Sequence, residues 1–366
     1  FAAAGEPPPE VNESHYLPKA KHYWNPEFCP GDYFLDSTDA HAVFYWSVGW
    51  LTRFAPLPAV AWIGRIAAWL WLAWSWQRLA TAVGTPKYTS VVAAMLLVAA
   101  IEHYNFAGEW VVGGVEAKCF AYGFVFLGLS YLAVDRYLPV GVAFGAAAAF
   151  HVLVGGWSVV AAAIVWVAKP SLWRRTWRPA VAGLLLGGLL SLPGLLPALA
   201  LNSEATPETE SKVSQIYVFE RLPHHLAPLS LDPEELGERF FRFGVLAVAV
   251  VAVWTFHQKP MRAARPSTGE PAGEPMLRVL QFAGASIIVS GVGILLEVAL
   301  IDHPATAARL LRYYWFRLAD VAVPAAGALG LCTALNFLGP SRAGALLALA
   351  VIAGGTHLGG ESTKRF

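Results

Sequence analysis

The sequence predicts an all-α fold, a polytopic transmembrane helical bundle of about ten spans. Hydrophobic residues make up 56% of the 366 residues and charged residues only 14%, whereas a soluble domain carries about 25% charged residues. The mean hydropathy of +0.50 agrees with a membrane protein. The apolar runs are continuous rather than alternating, which favours helices over the strands of a transmembrane barrel.

Ten apolar segments are the predicted spans, because a helix crosses a bilayer with about 20 residues and with fewer where neighbours shelter it. In chain order they are residues 57–83, 88–103, 119–134, 138–150, 156–168, 179–201, 241–256, 277–301, 318–338 and 343–357. Segments 138–150 and 156–168 are alternatively one long helix broken near Gly155 and Gly156, so the span count has a margin of one or two.

The distribution of charge predicts the sidedness of the connecting segments. Lysine and arginine are concentrated in one set of loops and most carboxylates in the other, so the positive-inside rule makes the basic set cytoplasmic. Residues 1–56, 104–118, 202–240 and 302–317 then lie outside, which agrees with strict alternation of the spans. Because the chain begins outside, we expect a further helix before Phe1.

Four parts make up the predicted domain organisation. Residues 1–56 form an outer segment with juxtamembrane helices, and residues 57–257 form the first transmembrane region, which includes the outer loop 202–240. Residues 258–276 are rich in proline, glycine and charge, which is typical of a cytoplasmic linker. Residues 277–366 form the C-terminal transmembrane helices.

The first outer segment is too polar to span and is predicted to form two short helices on the membrane surface. The second helix is expected to begin at the acidic stretch 36–39 and to continue through an aromatic run, with Asp36 and Asp39 alternatively serving only as its caps. Carboxylates and imidazoles clustered at a membrane surface supply a general base or hold a divalent cation. The residues that fit this description are Glu13, His15, Asp32 and His41.

Residues 101–124 contain a glycine-rich apolar stretch that is predicted to dip back towards the membrane. Glu116 and Lys118 lie beside the following span, where charged side chains are costly unless they are paired or face a polar cavity. We expect a cavity role, and the alternative is a Glu116–Lys118 or Glu102–Lys118 ion pair that holds the turn. His151 is predicted to be a core residue rather than a ligand.

Two further outer segments have the composition of a phosphate site. Loop 202–240 contributes Tyr217, Arg221, His224 and His225, for which contact with lipid headgroups is the alternative. Segment 301–324 surrounds an aromatic run with Arg309, Arg312 and Arg317. An Arg317–Asp320 ion pair across one helical turn is the alternative there.

Five stretches carry a resemblance to a known family, namely VNESHYL (11–17), GDYFLDSTDAH (31–41), GGVEAK (113–118), ERLPHHL (220–226) and RYYWFRLADV (312–321). In a multi-span chain with surface helices in its first large outer loop, they make the protein similar to the GT-C superfamily of membrane glycosyltransferases. It resembles in particular uncharacterised bacterial integral membrane proteins related to that superfamily. The resemblance implies an inner-membrane enzyme that transfers a sugar from a polyprenyl phosphate to an acceptor on the periplasmic face.

The resemblance also implies roles for individual residues. Glu13 matches the carboxylate that acts as base or metal ligand in that superfamily, and Asp32 and Asp39 would assist it. Glu116 and Lys118 would order the cavity floor. The residues expected to neutralise the donor phosphate as it leaves are Arg221, His224, His225, Arg312 and Arg317. The resemblance allows a divalent cation as a cofactor. The acidic residues match no strict metal motif, so the sequence does not require one.

Two other functions remain open. The first is a non-catalytic structural subunit of a larger membrane complex, in which the 15 tryptophans pack against partner helices or lipid. The second is a lipid or solute transporter, with Arg65, Glu102 and Glu297 along a path through the membrane. The net charge of +1 gives no support for a nucleic-acid partner, and three widely spaced cysteines indicate no disulfide framework.

Overall fold

The computed structural model of the chain describes residues 4–10, 12–201, 205–263 and 274–336, whose regular secondary structure is helical throughout. The helices are α1 (Glu13–Trp24), α2 (Ala42–Trp46), α3 (Leu57–Ala82), α4 (Lys87–His103), α5 (Ala117–Ala133), α6 (Tyr137–Phe150), α7 (Val152–Val167), α8 (Pro170–Ala200), α9 (Pro207–Gln215), α10 (Pro223–Leu226), α11 (Pro233–Ala263), α12 (Glu274–Ala299), α13 (Pro304–Leu311) and α14 (Ala319–Asn336). Short 3₁₀ turns lie at Gly49–Arg53 and Pro228–Ser230, and a π-helical turn lies at Ile216–Arg221.

The described helices are those of an integral membrane protein. Four of them are long and apolar enough to cross a bilayer, namely Leu57–Ala82, Pro170–Ala200, Pro233–Gln258 and Pro275–Ala299. Four shorter helices are also apolar, namely Ala117–Ala133, Tyr137–Phe150, Val152–Val167 and Ala319–Leu335. Each of the first nine predicted segments overlaps one helix. The tenth, 343–357, lies outside the described residues.

Helix α5 lies at the centre of the bundle. It packs against α3 on one side and α6 on the other, and it also touches α12. Tyr122, Phe126 and Leu129 of α5 are buried in the main apolar core. The central helix of the bundle is therefore shorter than the helices whose length alone marks them as membrane-spanning.

The break between α6 and α7 lies at His151, not at Gly155 and Gly156. His151 has an extended backbone, with φ −148° and ψ 100°, and it separates the two helices as a single residue. The Gly155 amide donates to the His151 carbonyl at 3.1 Å, so the chain is already helical at the glycines. The predicted site of the break was therefore wrong, and the kink instead brings an imidazole to the ends of two helices.

Helices α6 and α8 pack closely through glycine. A Cβ atom added at Gly141 would overlap the Gly183 carbonyl, and one at Gly145 would overlap the backbone of Gly187. Small residues allow two backbones to approach within a membrane, where close van der Waals packing drives helix association. The glycines within residues 183–188 thus form a close packing face for α6.

Residues 1–56 contain two short α-helices, as predicted, but the second begins later than expected. Helix α2 starts at Ala42, and its N-cap His41 makes no capping hydrogen bond with its side chain. Asp36 lies 3.0 Å from His22, and Asp39 lies 3.6 Å from Lys19. These carboxylates contact α1 instead of capping α2, which corrects the capping alternative.

The two long loops contain more helix than the composition indicates. Residues 207–226 and the start of α11 occupy most of residues 202–240, which were predicted to be an outer loop. At the predicted linker, α11 continues to Ala263 and α12 begins at Glu274, so both helices extend into residues 258–276. The remainder of that linker, residues 264–273, lies outside the described residues.

Candidate functional site

The segment between α4 and α5, residues 104–116, is a non-helical chain buried in protein. Its backbone amides bind the Asp320 carboxylate at the start of α14, with the donors Phe106 at 2.7 Å, Ala107 at 2.8 Å and Glu109 at 3.2 Å. Asp320 has no exposed surface. Because buried backbone donors need partners, this carboxylate replaces the hydrogen bonds that a helix would have supplied.

Arg317 lies one turn before Asp320 but does not pair with it. Its Nε is 2.9 Å from Glu109 Oε2, its Nη1 is 2.9 Å from His151 Nε2, and its guanidinium lies 3.8 Å from the centre of the Tyr314 ring. Burial lowers the pKa of Arg317, but the Glu109 carboxylate outweighs it and the pKa lies above its usual value. The alternative of an Arg317–Asp320 ion pair is therefore wrong, because Arg317 pairs with Glu109 of the 104–116 segment.

A second cation lies beside the same carboxylate. Lys118 Nζ is 3.4 Å from Glu116 Oε2 and 4.0 Å from Glu109 Oε1. The structure thus shows the Glu116–Lys118 ion pair that was the alternative to the expected cavity role, and Glu109 bridges Lys118 to Arg317. Burial raises the pKa of Glu116, while Lys118 partly opposes this effect.

Two imidazoles complete the site. The His41 and His151 rings lie 5.7 Å apart, and the Tyr16 hydroxyl is 3.2 Å from His41 Nε2. Burial lowers the pKa of His41 to about 4. His41 is therefore neutral at physiological pH, which suits its position near the Arg317 guanidinium.

We define the Arg317 cluster as His41, Glu109, Glu116, Lys118, His151 and Arg317. It joins the start of α2, the 104–116 segment, the first turn of α5, the α6–α7 junction and the segment before α14. With neutral imidazoles, its two cations balance its two carboxylates. Glu109 was missed by the sequence analysis, and the available signal was one acid inside an apolar, glycine-rich stretch, NFAGEW.

Glu13 lies in a different contact, between α1 and α3. Its two carboxylate oxygens accept from Arg65 Nε at 2.7 Å and Nη2 at 2.6 Å, and from the backbone amides of Val115 and Glu10 at 2.7 and 2.9 Å. Its exposure is 1%. Burial raises the pKa of Glu13, but these donors outweigh it and leave the pKa below its usual value. Such a carboxylate is a poor acceptor for a substrate proton, which argues against the predicted role as base.

Asp32 and Asp39 do not join Glu13. Asp32 accepts from the amides of Phe34 and Leu35 at 3.0 and 2.9 Å, within its own turn. Asp39 faces Lys19, whose ammonium also donates to the carbonyls of Phe34 and Leu35 at 2.9 and 2.7 Å. These acids therefore shape the 32–39 turn rather than a shared carboxylate site.

The predicted phosphate-binding residues do not come together in one site. His225 lies against the 104–116 segment, where its Nδ1 contacts the Ala107 carbonyl. Burial lowers the pKa of His225 to about 4. Arg312 instead pairs with Glu210 of α9 at 2.8 Å. Arg221 is exposed, and His224 contributes its backbone carbonyl to Arg239 at 3.1 Å.

Within the residues that the structure describes, no three His, Cys, Asp or Glu side chains come together as metal ligands. Comparisons with models of protein families, with curated protein sequences and with solved structures found no match. The fold and the site thus define an integral membrane helical bundle with a buried ionisable cluster at one end.

Proposed function

We propose that this chain is a GT-C-like glycosyltransferase of the bacterial inner membrane, which moves a sugar from a polyprenyl phosphate to an acceptor on the outer face. The observation that carries the proposal is the Arg317 cluster. Ionisable side chains in the apolar part of a membrane protein are expensive and mark functional sites. Here four charged side chains meet, namely Glu109, Glu116, Lys118 and Arg317, and in this proposal a lipid-borne substrate reaches them from the membrane.

In this proposal Arg317 is the primary phosphate ligand. A guanidinium matches the geometry of a phosphate and remains charged when buried. In the structure its Nε faces Glu109, 2.9 Å away. The donor phosphate would replace Glu109 as the partner of Arg317, with Lys118 balancing the second negative charge.

The displaced Glu109 would act as the proton acceptor. Its Oε1 has no hydrogen-bond donor within the described residues and lies 4.0 Å from Lys118. The acceptor hydroxyl would give its proton to Glu109 while its oxygen forms a bond to the anomeric carbon of the sugar. The bond from that carbon to the phosphate oxygen breaks, and its electron pair leaves with the phosphate.

This arrangement moves the proposed base from Glu13 to Glu109. Glu13 would hold α1 on α3 through Arg65, and Asp32 and Asp39 would hold the 32–39 turn, so that the surface helices cover the site. Arg221, His224 and Arg312 would contact lipid headgroups or the acceptor at the periphery. The residues closest to the reacting atoms would be Glu109, Lys118 and Arg317.

The test is transfer of radiolabel in proteoliposomes that contain the full chain. The donors are undecaprenyl phosphates bearing different hexoses and pentoses, and native envelope extract supplies the acceptor. We expect Glu109→Gln to lower the transfer rate by about 100-fold or more, as removal of a general base does. Arg317→Lys should raise the concentration of donor needed for half-maximal rate.

The matched control is Glu238→Gln, which removes an exposed carboxylate that pairs with Arg242 on the same helix. It should retain full activity. Full activity in folded Glu109→Gln protein would refute the role of Glu109. Absence of transfer from every donor, together with a protein that co-purifies in equal amount, would favour the structural subunit instead.

A further inference from the structure

An apolar groove runs along the face of the bundle between α3 and α4. Its volume is about 360 Å³, within the range of about 300–1,000 Å³ that is usual for small-molecule sites. Its walls include Leu72 and Trp76 of α3, Ala94 and Leu97 of α4, and Phe126 of α5. The groove lies at a different place from the Arg317 cluster.

The groove exists because two consecutive helices separate after a tight turn. At the turn, the Trp76 indole donates to the Ser90 carbonyl at 2.9 Å, and the Ser90 hydroxyl donates to Gln77 at 2.7 Å. Beyond this junction α3 packs on α5 and α4 packs on α14. Val111 and Val112 of the buried 104–116 segment line the opposite end.

The dimensions and surroundings suit a hydrocarbon chain. From Gln77 to Trp69 the groove follows α3 for about 12 Å, at about 1.5 Å per residue. Both helices belong to a bundle in which neighbouring side chains such as Leu70 and Val91 are exposed, at 66% and 59%. An apolar groove that opens beside such side chains fills with lipid chains rather than with water.

The turn end of the groove is marked by positive charge. Arg78 follows Gln77 at the end of α3, and Lys87 begins α4, where its carbonyl accepts from Ser90 at 2.7 Å. Both side chains are exposed, and so is Tyr88, at 87%. A tyrosine between a basic residue and an apolar helix is typical of the headgroup level of a bilayer.

We propose that this groove is a binding site for one anionic phospholipid of the leaflet at the Arg78–Lys87 turn, which the charge distribution predicts to be cytoplasmic. The phosphate lies beside Lys87 at the start of α4, and one acyl chain lies along Trp76, Ala94 and Leu97. The Arg78 guanidinium, 6.0 Å from the centre of the Trp74 ring, adds positive charge at the same end of the helices. A polyprenyl phosphate donor is a poorer fit, because this basic end is at the opposite end of the helices from the Arg317 cluster. The proposal is independent of the glycosyltransferase proposal.

The experiment is native mass spectrometry of the full chain, released from nanodiscs that contain equal amounts of phosphatidylglycerol and phosphatidylcholine. We expect one retained phosphatidylglycerol per chain. Ala94→Trp fills the groove and should lower retention of both lipids at least fivefold. The double variant Arg78→Gln, Lys87→Gln should abolish the preference for phosphatidylglycerol. The matched controls are Leu185→Trp on an exposed face of α8 and Arg174→Gln on the same helix.

A second measurement is independent of variants that fail to fold. Phosphatidylglycerol with a photoreactive diazirine in one acyl chain should crosslink in the wild-type protein to peptides that contain residues 69–77 and 90–98. Crosslinks spread over α8 and α11 in proportion to their exposure would overturn the proposal. So would equal retention of the two phospholipids.

Discussion

Asp320 binds the backbone amide of Phe106 at 2.7 Å, across 214 positions of the chain. Together with the bonds from Ala107 and Glu109, this contact fixes the buried 104–116 segment to the start of α14. Glu109 and Arg317 are carried by the two segments that this contact joins. The Asp320 carboxylate thus positions Glu109 and Arg317 relative to each other, although it forms no ion pair with Arg317.

Replacing Asp320 should release the 104–116 segment. Asp320→Ala leaves buried amide donors without an acceptor, and each hydrogen bond to a charged group contributes about 1.5–3 kcal/mol. We expect hydrogen exchange of residues 106–109 to accelerate at least tenfold while α8 remains protected. Asp232→Ala is the control, because it removes an exposed carboxylate that also accepts a backbone bond, from Glu234 at 2.9 Å. Equal exchange in both variants would contradict the anchoring role.

Breaking the Glu13–Arg65 pair should destabilise the protein, because it leaves one buried charge alone. Loss of one partner of a buried ion pair costs about 3–5 kcal/mol. We expect Glu13→Gln to lower the midpoint of thermal unfolding in detergent, and Arg65→Met to do the same. The double variant should be more stable than the sum of the two effects predicts. If the effects of the two single variants simply add, the Glu13–Arg65 contact at 2.6 Å contributes no coupling free energy to stability.

Acid should destabilise the fold through His41. Its pKa is about 4 in the folded protein and about 6.5 in an unfolded chain, so between these values the unfolded chain binds more protons. The stability from neutral His41 is complete above pH 6.5 and is lost as pH falls towards 4. His41→Gln cannot titrate, so its unfolding midpoint should fall less between about pH 7 and pH 5 than that of the wild type. An identical fall in both proteins would refute the assignment.

Only glycine should fit at the centre of the α6–α8 contact. Gly141→Val places methyl groups against the Gly183 backbone, and overpacking costs about 1–3 kcal/mol or more where backbone must move. Gly188→Val is the matched control, because nothing lies within 4 Å of a Cβ atom at that position. We expect a lower thermal midpoint for the Gly141 variant only. Similar midpoints would mean that the two helices separate without loss of stability.

Individual residues show how much of the candidate site could be predicted from the sequence. The Glu116–Lys118 pair was considered as the alternative to a cavity role, because an unpaired charge beside an apolar run is costly. Arg317 was recognised as a candidate phosphate ligand, and its alternative partner Asp320 followed from spacing along a helix, which does not reveal Glu109. His151 was predicted to be a core residue, whereas it lies 2.9 Å from Arg317 and 5.7 Å from His41.

Composition and hydropathy are sufficient to identify a helical membrane protein and to locate its apolar helices among the described residues. Those features are local, because a bilayer requires long apolar helices whatever their neighbours are. The pairing of Glu13 with Arg65, of Glu109 with Arg317 and of Asp320 with the 104–116 backbone is visible in the folded chain alone. The partner of a charge depends on which segments meet in space, and pairs separated by 52 and 214 positions leave no periodic signal in the sequence.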